Sequence, residues 1–136
     1  MASKDLAQEL PRSRIATETA DERGEQRFRD YFQLQSIGMA IAGPDKHWIE
    51  VNDKLCDLLG YTREELLNAT WMALTHPDDL ARNLGLFAQA MCGEINGYSL
   101  EKRFIRKDGS QIDVHLSTRC VRKTDGQVDY FIATYE

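Results

Sequence analysis

Polar residues dominate the chain from residue 19 to 34, yet Phe28, Tyr31 and Phe32 recur three and four positions apart, on one side of a helix. Thr19 and Glu22 have capping-box spacing, and Glu25 with Arg29 forms an i,i+4 pair. The segment is therefore predicted as an amphipathic helix over 21–34. From Ile37 the pattern changes. Ile37–Ala42 is a short apolar run that stops at Gly43-Pro44-Asp45, and Trp48–Val51 follows, which predicts a hairpin. Asn52 or Asp53 caps a short helix with Leu55, Leu58 and Leu59 inward and Gly60 as its stop. Thr62 and Glu65 repeat the capping box ahead of Arg63–Leu67. Pro77 suits the first position of a longer helix, and Asp78 and Asp79 complement its dipole. Leu80, Leu84, Phe87 and Met91 then form its predicted buried face.

Three strands complete the pattern: Tyr98–Arg106, Gln111–Val121 and Val128–Tyr135, with Asp108-Gly109 and Asp125-Gly126 supplying the turns. In the middle strand Ile112, Val114, Leu116, Thr118 and Cys120 share one face, and Asp113, His115, Ser117 and Arg119 the other. The order predicts an α+β fold, a five-stranded antiparallel sheet with helices on one face. The opposite face is left for the N-terminal helix or a second subunit. Residues 1–20, polar and carrying Pro11, are read as a mobile tail.

Composition narrows the function classes. A chain of 136 residues suits one domain, and 42% hydrophobic with 29% charged residues is a globular balance. The net charge of −5 argues against a non-specific nucleic-acid binder. No apolar run approaches the roughly 20 residues of a membrane span, and the first twenty residues hold no signal-peptide core. Cys56, Cys92 and Cys120 are odd in number, with no Cys-x-x-Cys, which suits a reduced, cytoplasmic protein.

Candidate chemistry is sparse. There is no Gly-x-Ser-x-Gly, His-Glu-x-x-His or phosphate-cradling Gly-Lys-Ser/Thr loop. Cys120 and His115 are five apart on one strand, hence on opposite faces, and cannot act as a nucleophilic pair. His76 is read as a helix cap, His115 as an outer-face residue and His47 as a turn residue, a spacing that fits no metal site. Neither catalysis nor metal binding is expected of this segment, a free-standing enzyme being the lesser alternative.

Several segments in register resemble the PAS domain, a sensory module of bacterial signalling proteins. They are Ile37–Ile41, Val51-Asn52, Leu58–Leu66, His76-Pro77-Asp78-Asp79 and Lys102–Gly109, and the resemblance covers about residues 25–136, with the domain itself placed over 35–136. It implies a module that binds a small ligand or partner and regulates an attached output domain, either a histidine kinase or a cyclic-di-GMP enzyme. Family members continue from the last strand into a connector, and this sequence stops at Tyr135-Glu136, where the connector would start. It is read as a module of a longer protein.

The resemblance also frames the cofactor question. The stretch Leu67–Met72 lacks the cysteine of the photosensory flavin members, and the histidine of haem-binding members is missing between Leu80 and Cys92. No cofactor is expected. The alternative is a redox sensor with non-covalent FAD, to which Trp71 and Asn83 would offer stacking and a hydrogen bond. The pocket candidates are Trp71, Asn83, Phe87, Met91, Leu116 and Thr118. A homodimer through the N-terminal helix and the outer sheet face is the expected assembly.

Overall fold

The computed structural model describes residues 20–136, which fall into a leading unit ending at Leu34 and a second unit, Gln35–Glu136. The leading unit is helix α1 (Ala20–Leu34). Phe28 and Phe32 stack one turn apart with ring centroids 5.6 Å from each other, and Tyr31 and Leu34 are exposed. The expected tail over 1–20, but for Ala20, and the Thr19 cap lie outside the described residues.

The second unit is built on one antiparallel sheet. Strands β1 (Gly38–Ala42), β2 (Trp48–Val51), β3 (Gly97–Ile105), β4 (Gln111–Arg122) and β5 (Val128–Tyr135) lie in the order β2-β1-β5-β4-β3. The first and last strands are thus neighbours at the centre, with Ala40 opposite Ala133. Both late hairpins turn on a glycine with positive φ, Gly109 at 87° and Gly126 at 90°, a conformation that favours glycine for want of a Cβ. The face alternation read in the middle strand holds: Val114, Leu116 and Thr118 are buried, and Asp113 and Arg119 are exposed.

Four helices lie between β2 and β3: α2 (Asp53–Leu59), α3 (Arg63–Leu67), α4 (Trp71–Leu74) and α5 (Pro77–Met91). Asn52 is the cap of α2 and also a tie between elements. Its Oδ1 accepts from Leu55 N at 3.0 Å and from Met39 N at 2.9 Å, while its Nδ2 donates to the Ile37 carbonyl. One fully buried amide thereby satisfies three backbone groups, two at the start of β1 and one in α2. The Thr62–Glu65 capping box forms in both directions. Helix α4 was not anticipated; it is a single turn capped by Thr70, whose hydroxyl accepts from Ala73 N. Buried Trp48, Val51, Leu55, Leu59, Leu66 and Phe104 fill the space between helices and sheet.

The predicted face of α5 needs correction. Its buried residues are Asn83, Phe87 and Ala90; Leu80 and Leu84 are half-buried, and Met91 is 37% exposed. At about 100° per residue, Leu84 and Met91 stand some 80–100° around the helix from Asn83. The polar Asn83 occupies the position that hydrophobic periodicity reserves for a leucine.

Candidate functional site

The reason for a buried asparagine lies across from it, on β3. Leu100, Lys102 and Phe104 alternate onto the core side of that strand, and Lys102 is only 3% exposed. Its Nζ donates to Asn83 Oδ1 at 2.6 Å and to Thr75 Oγ1 at 2.9 Å. It also lies over two aromatic faces, 4.3 Å from the Phe104 ring centroid and 5.1 Å from that of Trp71. Among the described residues no carboxylate forms an ion pair with it.

Local structure delivers each partner. Thr75 bridges to Phe104, and the next residue, His76, donates its N–H to the Arg103 carbonyl at 2.9 Å, so the α4–α5 junction is stitched to β3. The Thr75 hydroxyl donates to the Trp71 carbonyl at 2.7 Å, which leaves its lone pairs for Lys102. His76 Nδ1 caps α5 by accepting from Asp78 N, as the sequence implied. In the first turn of α5, Asp79 accepts from Arg103 N, Nε and Nη2 at 2.8–3.0 Å. That guanidinium holds the Asp79 carboxyl at about 2. The start of α5 is thus fixed one residue away from Lys102.

Burial dominates the electrostatics. Loss of hydration pulls the Lys102 amine down to about 7, and the negative charge of Asp79 offsets only part of this. Burial likewise pushes the Tyr98 phenol up to about 12, and raises Tyr135, whose oxygen accepts from Trp48 Nε1 at 3.3 Å. Asn83 Nδ2 lies 3.5 Å from the Tyr98 oxygen.

These groups border a residual cavity of about 20 Å³, walled by Trp71, Phe87, Phe131 and Tyr135 and edged by Asn83, Tyr98, Lys102 and Thr118. That volume accommodates one water. A much larger open groove of about 590 Å³ runs over the outer sheet face past Ser99, Ser117, Arg119 and Thr134. Size alone would favour the groove. The interior carries the perturbed amine and the converging donors, the features that mark functional sites, and is the better candidate.

A family model described as PAS fold matches residues 48–135. The chain belongs to the PAS family. Over 112 residues it is 41% identical to a probable diguanylate cyclase of Escherichia coli strain K12, a match over 82% of this chain and 10% of that protein. The chain therefore spans about a tenth of that curated relative's length. It is similar, at 26% identity and a TM-score of 0.67, to a domain of a sensory box sensor histidine kinase/response regulator from Geobacter sulfurreducens, covering 86% of this chain and 97% of that one. The PAS domain of a protein from Colwellia psychrerythraea superposes with a TM-score of 0.74 at 15% identity, over 82% and 94% of the two chains, a likeness of fold.

Within this PAS sensory domain, five of the six residues singled out from sequence border the interior cavity: Trp71, Asn83, Phe87, Leu116 and Thr118. Trp71 meets Phe87 edge-on, with centroids 5.4 Å apart. Met91 does not belong, because it is exposed at the end of α5 and Ala90 takes the inward position. Sequence reasoning missed Lys102, Thr75, Tyr98 and Tyr135. Lys102 had a signal, since it shares strand parity with the buried Leu100 and Phe104. Nothing local marked Thr75. Among the described residues no group of three His, Cys, Asp or Glu side chains is placed to hold a metal ion, and no helix is long and apolar enough to cross a membrane.

Proposed function

We propose that this PAS domain senses the occupancy of its interior cavity and regulates an attached signalling output domain, of the histidine kinase or cyclic-di-GMP-synthesising kind. The observation that carries the reading is that β5 both walls the cavity and pairs with β4 next to it. Phe131, Ala133 and Tyr135 of β5 border the cavity, and Glu136, the next residue, exchanges two backbone hydrogen bonds with His115 on β4. A ligand that displaces Tyr135 would shift β5 and, through the next residue, its pairing with β4 at His115. Such a ligand biases the output only through its different affinity for the two arrangements. The relatives support this setting, one a probable diguanylate cyclase and the other a sensor histidine kinase/response regulator.

Our reading includes no flavin. What supports this is the cavity volume of about 20 Å³, against roughly 300 Å³ or more for a typical cofactor site. It includes a homodimer formed through α1 and the outer sheet face. Exposed Phe28, Tyr31 and Leu34 on α1 and half-buried Met39, Ile41 and Ile132 on the sheet support that assembly. The three free cysteines suit a cytoplasmic setting.

The test is to fill the cavity in the full-length protein with Thr118→Leu and to measure kinase or cyclase output. The expected result is a change of about fivefold or more. Unchanged output from a folded variant would overturn the reading.

A further inference from the structure

Resting on that reading, we infer that the ligand of the interior cavity is a small monovalent anion, a halide or the shortest carboxylate, held by the Lys102 ammonium with the Tyr98 hydroxyl as second donor. An ammonium has three hydrogens, and Thr75 and Asn83 take two. Both acceptors are neutral, and among the described residues no Asp or Glu borders the cavity. The faces of Phe104 and Trp71 favour a cation without neutralising it. Tyr98 receives the Asn83 amide, which leaves the phenolic hydrogen to be donated. The site is therefore rich in donors and short of one negative charge.

Size sets the upper limit. A cavity of about 20 Å³ takes a water-sized guest, and the rings of Phe87 and Phe131, with centroids 5.3 Å apart, close its wall. Larger acids would require the aromatic wall to move. Binding is coupled to a proton: the neutral amine takes up a hydrogen ion from the buffered solvent together with the anion, so the ion pair enters with no net charge. Among the described residues, the other charged groups around the site are committed or of the wrong sign. Asp79 on α5 is engaged by Arg103, Lys46 of the β1–β2 turn lies 4.9 Å over the Phe87 ring, and Tyr98 and Tyr135 are kept protonated by burial. Lys102 is left as the titrating group.

The experiment is a lysine side-chain NMR titration of the protein with rising chloride, or rising formate, at fixed ionic strength. The expected result is a saturable upward move of the Lys102 midpoint by about one unit, a roughly tenfold gain in proton affinity matched by an equal gain in anion affinity at low pH. A response to chloride alone identifies a halide site, to formate alone a carboxylate site, and either supports the proposal. Benzoate is expected to give none. Folded Lys102→Met should lose the heat of anion binding seen by calorimetry. Tyr98→Phe, which keeps the ring, should weaken it severalfold. A midpoint unmoved by both anions, or equal binding by Lys102→Met, would overturn the proposal. If Thr118→Leu still changes the output, only the ligand class falls and the sensing role stands.

Discussion

Lys102 Nζ donates to Asn83 Oδ1 at 2.6 Å, joining the most buried cation of the sheet to the most buried amide of α5. Each residue explains the other. A lysine in that position needs an acceptor, and an asparagine there needs a donor, because an unpaired buried polar group costs about 1–3 kcal/mol. Asn83→Leu and Lys102→Met should each destabilise the domain, and the double variant by less than the sum. A double-mutant cycle in urea is expected to give a coupling of about 1–2 kcal/mol. Strict additivity would mean that the contact contributes nothing.

The same amine makes stability depend on pH. Its folded value of about 7 lies below the ordinary 10.5 because burial disfavours the charge. Between those values the unfolded chain holds a proton that the folded protein has released, so stability rises with pH and is lost as pH falls through 7. The slope is up to roughly 1.4 kcal/mol per pH unit. Burial raises Cys56, Cys120, Tyr98 and Tyr135, which act in the opposite sense once their unfolded forms ionise, from pH about 8.5 upward. Wild type minus Lys102→Met, followed by urea midpoints from neutral pH to that point, isolates the rising limb. A flat difference would refute it.

Phe87 stands between Trp71 at 5.4 Å and Phe131 at 5.3 Å and is 6% exposed. Phe87→Ala should cost about 3–5 kcal/mol. A loss below about 1 kcal/mol in urea unfolding would show that the aromatic cluster carries little of the stability.

On assembly, sedimentation equilibrium should find a dimer for the intact chain and a monomer once residues 1–34 are removed. A monomer at every concentration for the intact chain would rule out the proposed interface. Dimerisation that survives the deletion would move it off α1.

Visible spectroscopy checks the cofactor expectation. The purified protein should be colourless, because α5 offers no histidine to a haem and the segment before it no cysteine to a flavin. A Soret band or a flavin absorption that bleaches in light would contradict this.

What the sequence determined by itself was whatever depends on neighbours along the chain. Asp108-Gly109 and Asp125-Gly126 specified their hairpins, Thr62 and Glu65 their capping box, and the alternation from Ile112 to Cys120 the inward face of β4. Those signals are local because turn dihedrals, caps and strand parity are set within a few residues. The tertiary structure alone decided which side of α5 faces the sheet. A helix with leucines at 80, 84 and 86 has several tolerable apolar faces, and the choice fell on Asn83 because β3 places an amine opposite it. In the sequence Lys102 stands between the charged Glu101 and Arg103, and nothing beside Thr75 marks it. Only the bridge from Thr75 to Phe104 and the packing of α5 on the sheet bring them, 27 residues apart, within 2.9 Å. Burial then gives that lysine its chemistry, since a charge is costly only once water has been excluded.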